Sequence, residues 1–330
     1  MLANIQALRA LAAIFVMLAH VGSLSAYYAY FPKIDFLHHG IFGVDLFFVI
    51  SGFIMVYITS ERWSGAGSFL AARALRIYPL WWLCTLIIAP ESIPFLLGKP
   101  DGWYYVASFF LVPAPTGSGD LYPAITQGWT LSYELMFYLV FGLLMLTGKR
   151  YISVKVTVAL LALFGAGLLS SGIPHKFFTN TIFLEFAFGV AIGEAFVSNR
   201  LRLWHVIPLS TAAVLCWYFQ ELSMETFRPL YYGVPAAALV IVALLAERAS
   251  MEAPKPVVFL GDASYSLYLS HVAVIVAVAP WLAWAPFYTA FAITICAALA
   301  VSMLLYLGFE RPVHQLSRRL YRMRLARIIP

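Results

Sequence analysis

The stretch "ALRALAAIFVMLAHV" (residues 7–21) carries Arg9 and His20 inside an apolar run in which a simple membrane anchor would hold neither. Eleven positions at about 100° each come to about 1100°, about 20° past three full turns, so the two side chains share one face of a helix. At about 1.5 Å per residue they stand about 16.5 Å apart along its axis. A guanidinium holds anions, and an imidazole can take up a proton near neutral pH. Two carboxylates occur in similar settings, Asp45 in "GVDLFFVISGF" and Glu134 in "WTLSYELMFY". An imidazole with acids near it is the raw material of acid/base chemistry, because a carboxylate can hold its tautomer and stabilise the charge it acquires. Structural readings stand beside these: Arg9 snorkelling to headgroups, His20 bonding between helices, the acids in a polar cluster.

Further polar residues fall into two groups. "RALRIYPLWW" brings Arg73 and Arg76 to the start of an apolar run, where they could grip an anionic ligand as arginine grips phosphate, or only fix orientation. Tyr78 follows in the same motif, and Trp129 and Tyr138 flank Glu134 in theirs. "LGDASYSLYLSH" sets Ser264, Tyr268 and His271 at i, i+4 and i+7, which is one helical face. Such a stripe suits a cavity lining, and interhelical bonding accounts for it nearly as well. Glu310 in "FERPVHQ" is expected to pair with a neighbouring arginine, and His38 and His39 to be solvated at an interface. Cys84, Cys216 and Cys296 are isolated in apolar segments and read as packing residues. No metal site is expected.

The elements that must carry these residues are membrane spans. Of 330 residues, 62% are hydrophobic and 11% charged, against roughly 25% charged in soluble proteins. Hydropathy places spans at about residues 5–28, 37–58, 74–90, 127–147, 152–171, 178–197, 203–221, 229–247, 264–284 and 287–309. The run "WYYVASFFLV" (103–112) is too short to cross and reads as re-entrant or interfacial. The first segment lacks a basic n-region, so it is expected to be a retained helix and not a signal peptide. Setting Arg9 aside, sixteen Lys and Arg fall on one side of these spans and four on the other, namely Lys33, Lys99, Lys176 and Arg228. The positive-inside rule then puts both termini in the cytoplasm. The expected fold is an all-α polytopic integral membrane protein of about ten transmembrane helices, with a membrane domain at 1–310 and a basic cytoplasmic tail at 311–330. The net charge of +6 belongs to loops and tail, which argues against nucleic acid as a partner. No internal repeat points to a duplicated transporter.

This topology sets depth. Asp45 would lie roughly 12 Å and Glu134 roughly 10 Å below the outer ends of their helices, in one layer with His20. Arg9, Arg73 and Arg76 would lie at the cytoplasmic mouth. Ionisable groups inside spans are costly and mark functional sites by default.

Taken together, "IQALRALAAIFVMLAH", with ten residues between Arg9 and His20, "GVDLFFVISGF", "RALRIYPLWW", "WTLSYELMFY", "SYSLYLSH" and "ERP" resemble the acyltransferase type 3 family of bacterial integral-membrane O-acyltransferases, over essentially the whole chain. The resemblance implies about ten helices in the bacterial inner (plasma) membrane, and transfer of an acyl group from cytoplasmic acyl-CoA to a hydroxyl of a glycan or lipid-linked saccharide. It also implies that His20 matches the essential histidine, Arg9 its partner, and Asp45 and Glu134 the acidic positions. Ending in a basic tail, the chain looks like the short form associated with exopolysaccharide acetylation. The expected catalytic set is His20, Asp45 and Glu134. The expected substrate-binding set is Arg9, Arg73, Arg76, Tyr78, Trp129, Tyr138, Ser264, Tyr268 and His271. No cofactor is expected beyond acetyl-CoA, or another acyl-CoA, as donor. A proton-coupled transporter or glycan flippase, which also wants intramembrane His and acids, is the rival reading.

Overall fold

A computed structural model describes residues 2–22, 35–89, 102–211 and 228–326. Their regular structure is helical throughout. The principal helices are α1 (Ala3–Gly22), α2 (Phe42–Glu61), α3 (Ala66–Ile88), α4 (Gly102–Phe109), α5 (Trp129–Met145), α6 (Ile152–Leu168), α7 (Gly172–Phe178), α8 (Ile182–Val197), α9 (Val234–Arg248), α10 (Lys255–Asp262), α11 (Ser264–Val278), α12 (Phe287–Leu305) and α13 (Arg311–Ala326).

Seven helices are long and apolar enough to cross a bilayer, or eight if α7 and α8, bent by 41°, form one broken span. The protein is a multi-pass membrane protein. The expected count of about ten is not reached among the described residues. The helix Ile152–Leu168 has 17 residues, at the lower limit of what crosses about 30 Å of hydrocarbon. The span expected at 203–221 lies mostly outside the described residues, which there show a short helical turn at Leu203–His205 and helix over 206–211.

Contacts divide the chain into two units. The first comprises Met1–Ala19, Asp35–Ala66 and Tyr133–Ser264. Its centre is apolar side chains from α1, α2 and α9, including Ala12, Leu46, Val49, Phe53, Val240 and Leu244. Hydrocarbon tails compete with such side chains for contact, so helices in lipid associate by close van der Waals packing, which small residues permit. The glycines of "GVDLFFVISGF" serve that purpose. A Cβ at Gly43 would strike the Ala12 carbonyl of α1, and one at Gly52 the Phe186 carbonyl of α8. Asp45 lies between these two approaches on α2.

The second unit comprises His20–Ile34, Gly67–Ser132 and Tyr265–Pro330. Here "IYPLWW" anchors the short apolar helix α4. Tyr78 Oη donates to the Phe110 carbonyl at 3.0 Å, and the indole nitrogens of Trp81 and Trp82 donate to the Phe109 carbonyl at 3.1 and 3.0 Å. These donors satisfy carbonyls at a helix end that would otherwise be orphaned. At eight residues, α4 is too short to cross, as expected. Ser266 Oγ donates to Glu310 at 2.5 Å, so the partner of this buried acid includes a serine of α11. Cys84 is buried, Cys296 is exposed on α12, and Cys216 lies outside the described residues. The expected tail is helical over Arg311–Ala326.

Candidate active site

His20 closes the last turn of α1, half-buried, and its partner comes from α11. His271 Nε2 lies 3.2 Å from His20 Nδ1, with the rings edge to face at a centroid distance of 4.9 Å and an angle of 70°. His271 is wholly buried, and its Nδ1 stands 2.9 Å from the Leu267 carbonyl one turn earlier on the same helix. Tyr268, next to Leu267, is bonded through Oη to Thr130 Oγ at 2.7 Å and to the Gln127 carbonyl at 3.2 Å. The stripe read as Ser264, Tyr268 and His271 is therefore buried and polar along its length, and Ser264 Oγ has no hydrogen-bond partner among the described residues. Also in this unit, Arg73 and Arg76 are half-buried, and the Arg73 guanidinium sits 5.9 Å from the Phe69 ring centroid. Trp129 is half-buried at the start of α5. Tyr78, expected to bind substrate, spends its hydroxyl on anchoring α4.

The other expected residues belong to the first unit. Arg9 is 6% exposed and donates to Gln6 Oε1 at 2.9 Å; Gln6 in turn donates to Asp262. Asp45, with no exposed surface, receives both arms of Arg228, at 2.7 and 2.8 Å. Glu185, equally buried, lies against this pair. Glu134 accepts from Tyr138 Oη, and Ser51 Oγ stands 3.3 Å from Glu134 and 3.4 Å from Tyr138. Asp45 and Glu134 thus have separate partners and are not bonded to each other. His38 and His39 are exposed, as expected.

Sequence reasoning missed Arg228, Glu185, Ser51, Thr130 and Gln127. Arg228 was read as a loop charge. Glu185 carried a usable signal, an acid inside the apolar run "IFLEFAFGV". Nothing marked the other three.

Comparison with known proteins identifies the family. The profile of the family described as "Acyltransferase domain" (acyltransferase 3) matches residues 2–307. The chain belongs to this acyltransferase family. It is 35% identical over 260 residues to the exopolysaccharide production protein ExoZ of Rhizobium meliloti (strain 1021), covering 73% of this chain and 80% of that one. It is 25% identical to Nodulation protein 10 of Rhizobium leguminosarum bv. viciae, covering 86% and 85%. The match to the peptidoglycan O-acetyltransferase OatA of Listeria monocytogenes, 24% identical, covers 84% of this chain and 50% of that protein. The chain therefore spans about half the length of that relative. No solved structure matches.

Proposed function

We propose that this family member is an O-acyltransferase of the bacterial inner membrane that moves an acyl group, acetyl by preference, from cytoplasmic acyl-CoA to a hydroxyl of an exported or cell-surface glycan. Family membership supports acyl transfer, and the names of its relatives support O-acetylation and exopolysaccharide. The observation that carries the site assignment is the His20–His271 pair: a half-buried imidazole, ring-bonded to a second buried imidazole, within a membrane span.

A sugar hydroxyl is a poor nucleophile, so removal of its proton as it attacks is what the reaction most lacks. In this reading His20 Nε2 takes that proton, the hydroxyl oxygen bonds to the thioester carbonyl carbon, and the carbon–sulfur bond breaks. The proton then passes to the departing CoA sulfur. A two-step route, in which His20 Nε2 first receives the acyl group, uses the same nitrogen. Arg73 and Arg76 are the candidates for the CoA phosphates, which guanidinium groups bind well. Arg9, bonded to Gln6 within the first unit, matches the partner arginine of the essential histidine in the resemblance, and we assign it to donor binding. Asp45 and Glu134 are assigned to the polar framework around the acceptor, Asp45 through Arg228 and Glu134 through Tyr138.

The test is transfer from labelled acetyl-CoA by the purified protein in detergent. His20→Ala should lower turnover by about 10²-fold or more, the usual worth of a general base, while insertion and acyl-CoA binding persist. Retention of more than about a tenth of wild-type turnover removes His20 from the chemical step. A transporter or flippase would leave the thioester intact.

A further inference from the structure

We propose that His271 is the positioning residue that fixes the tautomer of His20, so that His20 Nε2 carries the lone pair used in catalysis; this rests on the reading of His20 as the reacting base. The Leu267 carbonyl can only accept, so His271 Nδ1, 2.9 Å away, must carry a hydrogen. A neutral imidazole has one ring hydrogen, so His271 Nε2 is an acceptor. A doubly protonated His271 would instead place a cation where no surface is exposed, and an unpaired buried charge is expensive. His20 Nδ1, 3.2 Å from that acceptor, must therefore be the donor. One hydrogen on Nδ1 leaves the lone pair of His20 on Nε2.

The 70° between the ring planes leaves such a bond open, since rotation about the line joining the two nitrogens keeps an in-plane N–H aimed at an in-plane lone pair. The chain of bonds runs from a backbone carbonyl through two rings, and its origin is local: Leu267 and His271 are four residues apart on α11, so the helix itself sets the angle of the first ring. Tyr268, ring centroid 6.0 Å from that of His271 and tied to Thr130 and Gln127, packs beside it. His271 thereby does for His20 what a buried carboxylate does for the histidine of a hydrolase triad. It holds the ring and accepts from Nδ1 while Nε2 gains and loses its proton. It does so without bringing a negative charge into the membrane.

Two substitutions and one spectrum test this. His271→Phe keeps a planar ring and removes the acceptor. Turnover should fall about 10²- to 10⁴-fold, the range seen when a catalytic histidine loses its tautomer partner, with KM for acetyl-CoA changed less than about threefold. His271→Gln offers Oε1 where Nε2 stood and should retain turnover within about tenfold of wild type. In protein labelled with ¹⁵N-histidine, the His20 signals, assigned by their loss in His20→Ala, should show a protonated Nδ1 and an unprotonated Nε2. Wild-type turnover in His271→Phe, equal losses in the Phe and Gln variants, or a protonated Nε2 on wild-type His20 would each overturn the proposal. The failure of the underlying reading is distinct, since activity surviving in His20→Ala removes the base itself.

Discussion

Asp45 and Arg228 make the clearest case for a quantitative test, because 183 residues of chain separate the partners of a two-armed ion pair. Removing Arg228 by Arg228→Ala leaves the Asp45 carboxylate with no exposed surface and with the Glu185 carboxyl still beside it. Breaking a buried pair in this way typically costs about 3–5 kcal/mol. The Arg228 side chain keeps 21% of its surface exposed, so water can reach the vacated space, and the lower end, about 3 kcal/mol, is expected. At 1.36 kcal/mol per decade that is a shift of about 150-fold in the unfolding equilibrium. The double variant Asp45→Asn/Arg228→Ala removes both charges, so it should cost under about 1.5 kcal/mol, and with the single Asp45→Asn variant it closes a double-mutant cycle that reads the coupling. The assay is denaturant titration in mixed micelles, followed by tryptophan fluorescence. An Arg228→Ala cost below about 1 kcal/mol would match an exposed pair and refute the account of Asp45 as a fully desolvated anchor.

Gly52→Val should destabilise by at least about 1–3 kcal/mol in the same titration, because its Cβ would meet the Phe186 carbonyl; Gly67→Ala, which meets nothing within 4 Å, should be neutral or gain up to about 1 kcal/mol. Equal effects at both sites would show that α2 and α8 are not in backbone contact. For topology, cysteines replacing the exposed Lys176 and Arg200, in a background with Cys84, Cys216 and Cys296 changed to serine, should label from opposite sides of the membrane, Arg200→Cys from the cytoplasm; labelling of both from the periplasm rejects the charge-bias argument.

What could be read from the sequence was set by periodicity and by cost. Charges in apolar runs are expensive wherever they occur, so Arg9, His20, Asp45 and Glu134 stood out without any knowledge of neighbours. Helical spacing placed Ser264, Tyr268 and His271 on one face, and length alone excluded the "WYYVASFFLV" stretch from crossing. Partners were another matter. His20 and His271 are 251 residues apart, and a bond between two helices leaves no periodic trace in either. The same holds for Arg228, whose loop position suited a topology count and concealed its bond to Asp45. Tyr78 was expected to bind substrate, yet its hydroxyl and the indole nitrogens of Trp81 and Trp82 serve a helix end some thirty residues later, which only the fold reveals. Hydropathy began a span at 178 and passed over the short helix α7, whose His175 and Lys176 lower the average, so the 41° bend between α7 and α8 lay outside its reach.

One consequence ties the two kinds of residue together. A membrane protein that must handle a proton needs polar groups in a medium that penalises each of them, and the penalty falls when every donor meets an acceptor. Along α11, Ser264 apart, that condition is met by neutral groups: Tyr268 on Thr130 and Gln127, Ser270 Oγ on the Ser266 carbonyl at 2.8 Å, and His271 on Leu267 and His20. The acid Glu310, 3% exposed, accepts from Ser266 on this helix. A carboxylate in place of His271 would hold the His20 tautomer more strongly, but before each turnover it would stand as a buried charge beside a neutral ring. An imidazole acceptor costs less in the resting state and still receives the Nδ1 hydrogen when His20 becomes cationic. The arrangement therefore gives up part of the differential stabilisation of the charged state that a carboxylate would supply, in exchange for a resting site that the membrane penalises less.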